Sequence, residues 1–363
     1  MGRVRALVES DIEQVTTLHR SVYGDEAPRP ALERFLADIF LRHPWIDEGV
    51  PSLVYEDGKG RIVGVLGAMR RPMTLEGRRL CAVVTHDFMV EPQSRATMAA
   101  LELMKRVAKG PQDLVLCDGN DRSRSLWEAL DGETAFGHSL RWIRPLRPVQ
   151  FVTTYWHGRS GGHGGRGSGA LVRPLARAFD AALALFPSSP FARPAPLASA
   201  DTPLDAADLL RGLHEISRRY ALRPCYDESS LAWLLEILGR GTRQGALRRR
   251  KVTDERGSIL GWFLYRAKRG GIGEVVQLAA RRDAIPRVVD HLFADAWNQG
   301  CVAVSGQVQP ELYRPLSQKR CFFDNAGFWL LYGTADGDVR AALQSGDVFL
   351  TRLECEGWMR LAF

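Results

Sequence analysis

The chain's most informative stretch, residues 83–130, reads VVTHDFMVEPQSRATMAALELMKRVAKGPQDLVLCDGNDRSRSLWEAL. The apolar runs 83–90 and 114–117 predict two buried strands, and the segments that follow each run predict two helices. A turn of small residues separates the first strand from its helix. Because the first N–H groups of a helix have no partner within it, such a turn is suited to binding phosphate. The stretch therefore predicts a strand–helix–strand–helix unit with an anion-binding turn.

The residues of this turn resemble the acetyl-CoA-binding core of the GNAT (Gcn5-related N-acetyltransferase) superfamily. The family pattern is Arg or Gln, two residues, Gly, one residue, then Gly or Ala. Arg95 and Ala100 fit that pattern, and Met98 stands where the family usually has Gly. The family's second signature is matched by Asn120 after the next strand and by Trp127 in the following helix.

The resemblance implies how an acyl-CoA would be held, either acetyl-CoA or another acyl-CoA. Its pantetheine would lie in a gap where the fourth and fifth strands diverge, and its pyrophosphate would meet the N–H groups of the turn. The implied cofactor-binding residues are Phe88, Met89, Val90, Arg95, Ala96, Thr97, Met98, Ala99, Ala100, Asn120 and Trp127. No spacing of Cys and His residues supports a zinc site, so no metal is expected.

Two neighbouring residues, His86 and Asp87, are the candidate bases that would take a proton from an acceptor amine. A His with a pKa near neutral suits that task, and alternation along the strand lets at most one of the two face the cleft. In the family, the usual acid is a Tyr in the helix after the fifth strand. Trp127 stands at that place and has no acidic O–H, so Ser125 or bulk water would protonate the departing thiolate. For Trp127 itself, a plain core position is the favoured interpretation.

The order of elements in residues 3–147 recurs in the second half of the chain, although residue identities differ. We therefore expect an α/β (α+β) fold of two GNAT-like domains, each a mixed central sheet flanked by helices. Such tandem architecture resembles the mycothiol synthase and Fem-type aminoacyl transferase families. The predicted division is an acyl-CoA-binding domain in 1–147, a Gly/Pro-rich connection with one helix in 148–204, and a degenerate domain in 205–363.

Residues 136–146 are predicted to supply the last strand of the first domain, and residues 328–332 and 348–353 the last strands of the second. In the second domain Ala284 is the only small residue where a pyrophosphate would approach the backbone. A branched side chain at such a place blocks close contact. We therefore expect the second domain to be structural or to shape the acceptor site.

The chain has 363 residues and a net charge of +7, and its basic residues are spread along the sequence. The one dense basic run, 247–251, is either a solvated strand edge or a contact for tRNA or phosphate. No apolar run is long enough to span a bilayer. The six cysteines are scattered without a C-x-x-C pair, which favours reduced thiols and a cytoplasmic protein.

A glycine-rich segment, residues 162–167, satisfies the pattern G-x-G-x-x-G. A dinucleotide fingerprint also requires a buried strand before it and a βαβ return after it. Residues 151–156 make a poor buried strand, and Pro-rich sequence follows the next predicted helix. The segment is therefore interpreted as part of a flexible linker.

The main hypothesis is an acyl-CoA-dependent N-acyltransferase that acts on a primary amine of a small molecule, such as an amino sugar or an amino acid. One alternative is a Fem-like transferase that uses aminoacyl-tRNA, which would need a contiguous basic groove. Another is a catalytically inactive pair of GNAT-like domains that serves as a binding or scaffold module. The missing Gly at position 98 and the Trp at position 127 favour this last alternative.

Overall fold

A computed structural model describes residues 2–24, 27–94, 98–159, 169–186, 189–194, 201–241, 243–325 and 327–363. The predicted pyrophosphate-binding residues Arg95, Ala96 and Thr97 lie outside the described residues, as does the glycine-rich run 162–167. Within the described part of the chain, every helix is too short or too polar to cross a membrane.

Fifteen strands are described, and they are numbered in chain order. They are β1 (Arg3–Ala6), β2 (Leu53–Glu56), β3 (Ile62–Leu75), β4 (Arg78–Val90), β5 (Leu114–Gly119), β6 (Glu133–Thr134), β7 (Arg141–Pro145), β8 (Asp201–Pro203), β9 (Leu222–Pro224), β10 (Ala246–Thr253), β11 (Ile259–Ala267), β12 (Ile272–Ala280), β13 (Ala303–Gln307), β14 (Phe322–Asp324) and β15 (Trp329–Gly333).

Twelve α-helices are described in the same way. They are α1 (Ile12–Tyr23), α2 (Arg29–Leu41), α3 (Ala99–Ala108), α4 (Asp121–Glu128), α5 (Pro148–Arg159), α6 (Gly169–Leu185), α7 (Ala206–Ile216), α8 (Glu228–Arg240), α9 (Ile285–Asn298), α10 (Tyr313–Gln318), α11 (Gly337–Ser345) and α12 (Met359–Ala362). A 3₁₀ helix, Glu356–Trp358, directly precedes α12.

The strands form two mixed sheets, which confirms the predicted fold class. The first has eight strands in the order β1-β2-β3-β4-β5-β15-β6, with β9 paired to β3. The second has seven strands in the order β14-β7-β13-β12-β11-β10-β8. Among the described strands, each sheet has a single parallel pair, β4 with β5 and β12 with β13, and the other pairs are antiparallel.

The two halves of the chain exchange strands. β15 lies between β5 and β6 in the first sheet, and β7 lies between β14 and β13 in the second. The prediction that residues 136–146 end the first sheet and residues 328–332 the second is therefore wrong. An apolar run indicates that a strand is buried, but its sheet is fixed by hydrogen bonds to residues far along the chain.

Residues 348–353 are also not the predicted strand. Val348 makes one isolated parallel bridge to Leu222, and the residues after it have irregular structure. Phe349, Leu350 and Leu353 are nevertheless buried, so the apolar pattern reports their burial and not a strand.

The basic run 247–251 lies in β10, which is paired on one side with β11 and on the other with β8. Because β8 pairs only with residues 250–252 and Arg249 is exposed, the expectation of a solvated strand edge holds for part of the run and not for all of it. Arg248 forms an ion pair with Asp295 at 2.6 Å, and Arg250 and Lys251 pair with carboxylates of neighbouring elements. Most of the run's charge is thus neutralised within the fold, which argues against the alternative of a tRNA contact.

Helices pack on the sheets through stripes that the sequence spacing explains. In α3 the buried residues Ala99, Leu103, Met104 and Val107 recur at intervals of three and four, so they share one face of the helix. The largest cluster of buried side chains draws on both halves of the chain, from Leu7 to Ala362. The two sheets are consequently joined by a common core.

Candidate active site

The parallel pair β4–β5 opens into a gap. Its ladder joins residues 82–84 to residues 114–116. β4 continues to Val90 and β5 to Gly119, but beyond these three pairs the described residues of β4 and β5 no longer pair with each other. A peptide-like ligand in this gap could bond to backbone groups on either strand.

A β-bulge in β4 lies at the mouth of the gap. Gly67 pairs with His86 and Val65 pairs with Met89, so two residues of β4 oppose one residue of β3. Asp87, within the bulge, has a φ of +47°, a left-handed conformation that non-glycine residues seldom adopt. Bulges of this kind redirect side chains and are frequent beside functional sites.

A cavity of about 710 Å³ lies at the gap. Strands β4 and β5 form one wall, α1 and α2 form another, and residues from the second half of the chain close it. The lining residues are His19, Tyr23, Gly24, Phe35, Asp87, Phe88, Asp118, Gly119, Asn120, Ser123, Arg243, Gln244, Lys268, Phe328, Glu356, Met359, Arg360 and Phe363. The volume suits a small-molecule ligand.

Three carboxylates face this cavity: Asp87, Asp118 and Glu356. Glu356 Oε1 accepts a hydrogen bond from the backbone N–H of Asp87 at 3.2 Å and lies 3.7 Å from Arg360 Nη2. Burial raises the pKa of Glu356 to about 8, and the charges of Asp118 and Asp87 add to the rise against the opposing charge of Arg360. Burial likewise raises the pKa of Asp118.

Asp87 behaves differently from the other two carboxylates. Burial acts to raise its pKa, but the hydrogen bond and charge of His86, together with His19 and Arg360, outweigh burial and lower the pKa. His86 Nδ1 lies 3.0 Å from Asp87 Oδ2, and His19 Nε2 lies 3.8 Å from Asp87 Oδ1. Asp87 therefore remains an anion beside two groups that can carry positive charge.

His86 is fully buried behind Asp87 and does not line the cavity. Its ring packs against Phe40, with 4.8 Å between ring centroids. It also lies over Gly67, where a Cβ atom would be 2.3 Å from His86 Cε1. Of the two candidate bases, the structure thus presents Asp87 to the cavity and uses His86 to hold it.

The structure brings some of the other predicted residues to the cavity and leaves others away from it. Phe88 and Asn120 line it, and the Asn120 side chain also caps α4 by accepting hydrogen bonds from the N–H groups of Arg122 and Ser123, each at 3.0 Å. Met89 and Val90 are buried in β4.

The described part of the predicted pyrophosphate turn begins at Met98, directly before α3. The Met98 side chain is 53% exposed, so its bulk points to solvent and not into the fold. Ala99 is fully buried against the sheet, and Ala100 is half-buried in the first turn of the helix. The Met98 side chain therefore does not pack into the core of the fold.

Ser125 and Trp127 are not among the residues that line the cavity. The Ser125 hydroxyl donates to the Asp121 carbonyl of its own helix at 2.9 Å. Trp127 is 3% exposed and donates from Nε1 to the Tyr332 carbonyl at 2.9 Å. The core position that the sequence allowed for Trp127 is the one observed.

Sequence reasoning missed Asp118, Glu356 and Arg360. Asp118 follows the apolar run 114–117 directly, so its place at the end of a buried strand was a usable signal. Glu356 and Arg360 come from the far end of the chain, and their local sequence carries no catalytic motif. Among the residues that the structure describes, no group of three or more His, Cys, Asp or Glu is arranged to hold a metal ion.

In the second sheet the described ladder between β12 and β13 likewise stops at Glu274 and Ser305, and a segment near the end of the chain contacts β12 beyond that point. Buried Gln277 donates to Glu354 Oε1 at 3.1 Å. Arg352 Nη1 donates to the Val275 carbonyl at 3.2 Å. The segment that contains Arg352 and Glu354 thus contacts β12 past its last pair with β13, and the expected role of the second half stays a prediction.

Comparisons with known proteins agree with this architecture. Residues 3–111 match the family model described as an acetyltransferase (GNAT) domain. Similar solved structures include a probable N-acyltransferase of Enterococcus faecalis V583, described as a conserved protein of unknown function, with a TM-score of 0.59 and 10% identity over 92% of this chain and 72% of that chain. No match was found among curated protein sequences.

Two further structures share the fold. A GCN5-related N-acetyltransferase from Kribbella flavida has a TM-score of 0.54 and 16% identity over 91% of this chain and 70% of that chain. Saccharomyces cerevisiae N-myristoyltransferase, solved with bound myristoyl-CoA and inhibitors, has a TM-score of 0.55 and 12% identity over 93% of this chain and 83% of that chain. At these identities the likeness concerns the fold alone.

Proposed function

We propose that this chain is an acyl-CoA-dependent N-acyltransferase, starting from the match of residues 3–111 to the GNAT acetyltransferase domain family. The observation that carries the proposal is the cavity of about 710 Å³ at the gap between β4 and β5. In the gap, strand backbone beyond the last β4–β5 pair would bond to a pantetheine arm, and the cavity would give room for an acceptor. A structure with a similar fold holds myristoyl-CoA, which supports an acyl-CoA as the donor.

Two features of the chain would hold the donor. The backbone of Phe88, Met89 and Val90 would bond to pantetheine, and the first turn of α3, around Ala99 and Ala100, would face the pyrophosphate. The positive end of the helix dipole at the N-terminus of α3 favours an anion there. Acetyl-CoA is the donor we propose to test first.

The acceptor would be a primary amine of a small molecule, as expected from the sequence. An amine is a cation at neutral pH, and Asp87 presents a carboxylate with a lowered pKa to the cavity. We propose that Asp87 holds the acceptor's ammonium and that His86 positions Asp87. A protonated amine beside a desolvated carboxylate gains a charge-assisted hydrogen bond. The cytoplasmic location expected from the sequence stays a prediction.

The test is the thermal stability of the protein with acetyl-CoA. A ligand at 100 times its dissociation constant stabilises a folded protein by about 2.7 kcal/mol, so a clear rise in Tm is expected. Ala100→Glu places a negative charge in the first turn of α3 and should abolish the rise. Ala108→Glu is the matched control, because it makes the same change at the other end of the helix, where the rise should persist.

Absence of a Tm rise with acetyl-CoA and with longer acyl-CoAs would contradict the proposal. That result would favour the alternative of an inactive binding module. A rise that Ala100→Glu leaves intact would place the donor elsewhere on the molecule and would remove the argument from α3.

A further inference from the structure

Glu356 reaches the acyl-transfer gap from the opposite half of the chain. The 3₁₀ helix Glu356–Trp358 packs against both β4 and β5, where those strands diverge. Glu356 is 7% exposed, and its carboxylate lines the cavity. Its Oε1 lies 3.2 Å from the Asp87 backbone nitrogen, one residue before the backbone that would hold pantetheine. A thioester bound in the gap would therefore lie beside Glu356.

The segment that carries Glu356 is firmly anchored. Glu354, two residues earlier, accepts hydrogen bonds from the Thr351 N–H at 2.8 Å and from the Tyr226 hydroxyl at 2.9 Å. Trp358, two residues later, is 1% exposed, and its backbone N–H donates to the Arg352 carbonyl at 3.2 Å. A side chain held on both sides in this way keeps its position without help from a ligand, which is what preorganised chemistry requires.

The surroundings of Glu356 favour uptake of a proton. Two other carboxylates face the same cavity, and three negative charges in a water-poor site repel one another. One nearby cation, Arg360, offsets part of that charge. The titratable or charged groups that act on Glu356 or are acted on by it are Asp87, Asp118, Arg360, Tyr23 and Cys117. The pKa of about 8 fits a base that operates near neutral pH.

From this geometry we infer that Glu356 is the base that takes the proton from the acceptor's ammonium, while Asp87 binds that ammonium. The inference rests on the proposed function and adds a catalytic residue to it. The ammonium N–H bond breaks, the proton passes to the Glu356 carboxylate, and the freed lone pair attacks the thioester carbonyl carbon. The C–N bond forms, the C–S bond breaks, and the second proton lost by nitrogen ends on the departing thiolate. Glu356 then releases its proton to solvent.

The experiment follows CoA thiol release from acetyl-CoA with glucosamine, L-lysine and phenethylamine as acceptors, between pH 6 and pH 10. We expect Glu356→Gln to lower kcat by about 100-fold or more at neutral pH. With phenethylamine and the ε-amine of L-lysine the deficit should shrink towards pH 10, because an amine with a pKa near 10 then supplies its own free base. Glu356→Asp keeps the carboxylate but shortens its reach, so its kcat at neutral pH should lie between those of wild type and Glu356→Gln.

Glu354→Gln is the control, since it neutralises a buried carboxylate of the same segment that does not line the cavity. It should leave the shape of the pH profile unchanged even where it lowers stability. The acetyl-CoA-dependent rise in Tm checks that each variant is folded and binds the donor.

Each result has a distinct meaning. Wild-type thiol release that Glu356→Gln retains within twofold across the pH range would overturn the assignment of Glu356 and leave the proposed function intact. A wild-type protein that releases no thiol with any of the three amines would overturn the proposed function and this inference with it. A pH-independent loss in Glu356→Gln would also overturn the inference, because it would indicate a structural role.

Discussion

At the scale of single residues, the site depends on Gly67, which has no side chain to take part in a reaction. The ring of His86 occupies the space above Gly67 on the neighbouring strand, and this allows His86 Nδ1 to reach Asp87 from behind. Any side chain at position 67 would displace the ring. The geometry of the predicted pair His86–Asp87 is therefore set by a residue that is not part of the pair.

Replacing Gly67 with Ala tests this arrangement. Its Cβ would lie 2.3 Å from His86 Cε1 in a fully buried place, and overpacking of this kind costs about 1–3 kcal/mol. We expect urea denaturation to report a loss of that size. Gly137→Ala is the control, because a Cβ there meets no atom within 4 Å. Equal effects of the two substitutions would contradict the packing argument.

Glu356 should also make stability depend on pH. Its pKa is raised from 4.5 to about 8 in the folded protein, so the folded state keeps a proton that the unfolded chain has released. The stability that this proton contributes is full below about pH 4.5 and is lost as the pH rises towards 8. One such group changes the free energy of unfolding by at most about 1.4 kcal/mol per pH unit.

Urea denaturation of wild type and Glu356→Gln between pH 4.5 and pH 8 would measure this effect. Across that window, the unfolding free energy of wild type should fall steadily relative to that of Glu356→Gln as the pH rises. A difference that is constant with pH would show that Glu356 has an ordinary pKa in the folded state.

At the scale of elements, the departure from the family pattern at Met98 is tolerated because of the way α3 begins. Met98 has φ −72° and ψ 0°, which any residue can adopt, and its side chain is exposed. The buried neighbour, Ala99, faces the sheet instead. A large residue is therefore acceptable at position 98 and not at position 99.

The pair of substitutions Met98→Gly and Ala99→Met tests that statement. Met98→Gly should change the unfolding free energy by no more than about 0.5 kcal/mol, because the site is an exposed helix start. Ala99→Met should destabilise by about 1–3 kcal/mol, because it adds volume to a packed core. If Met98→Gly proves the more damaging of the two in urea denaturation, the orientation of the helix start is different from that described.

At the scale of the whole molecule, the exchange of β7 and β15 makes each sheet depend on both halves of the chain. The cavity at the β4–β5 gap shares this dependence, since Asp87 and Asp118 come from one half and Glu356 from the other. The predicted domain division at residues 147 and 205 stays a prediction, but neither sheet is complete on one side of it.

A fragment of residues 1–147 should therefore fail to fold by itself. It lacks β15, so β5 and β6 lose their shared neighbour, and its β7 has no sheet to join. We expect circular dichroism to show no cooperative thermal unfolding for the fragment, and coexpression with residues 148–363 to restore it. Cooperative unfolding of 1–147 alone would mean that the strand exchange is dispensable.

The sequence by itself determined the elements that depend on neighbours a few residues apart. Periodic apolar residues predicted α3, the run 114–117 predicted β5, and the pair His86–Asp87 was recognised on its strand. These features follow from backbone geometry, which repeats every two residues in a strand and every 3.6 in a helix.

Only the tertiary structure decided which sheet receives β7 and β15 and which side chains close the cavity. Asp87 and Glu356 are hydrogen-bonded although 269 residues separate them. Such a contact forms because the packed core leaves one place for each element, and no local pattern encodes that place. The same cause explains why the run 348–353 is buried without being a strand. Its apolar side chains favour burial, whereas the partners of its backbone hydrogen bonds depend on the fold as a whole.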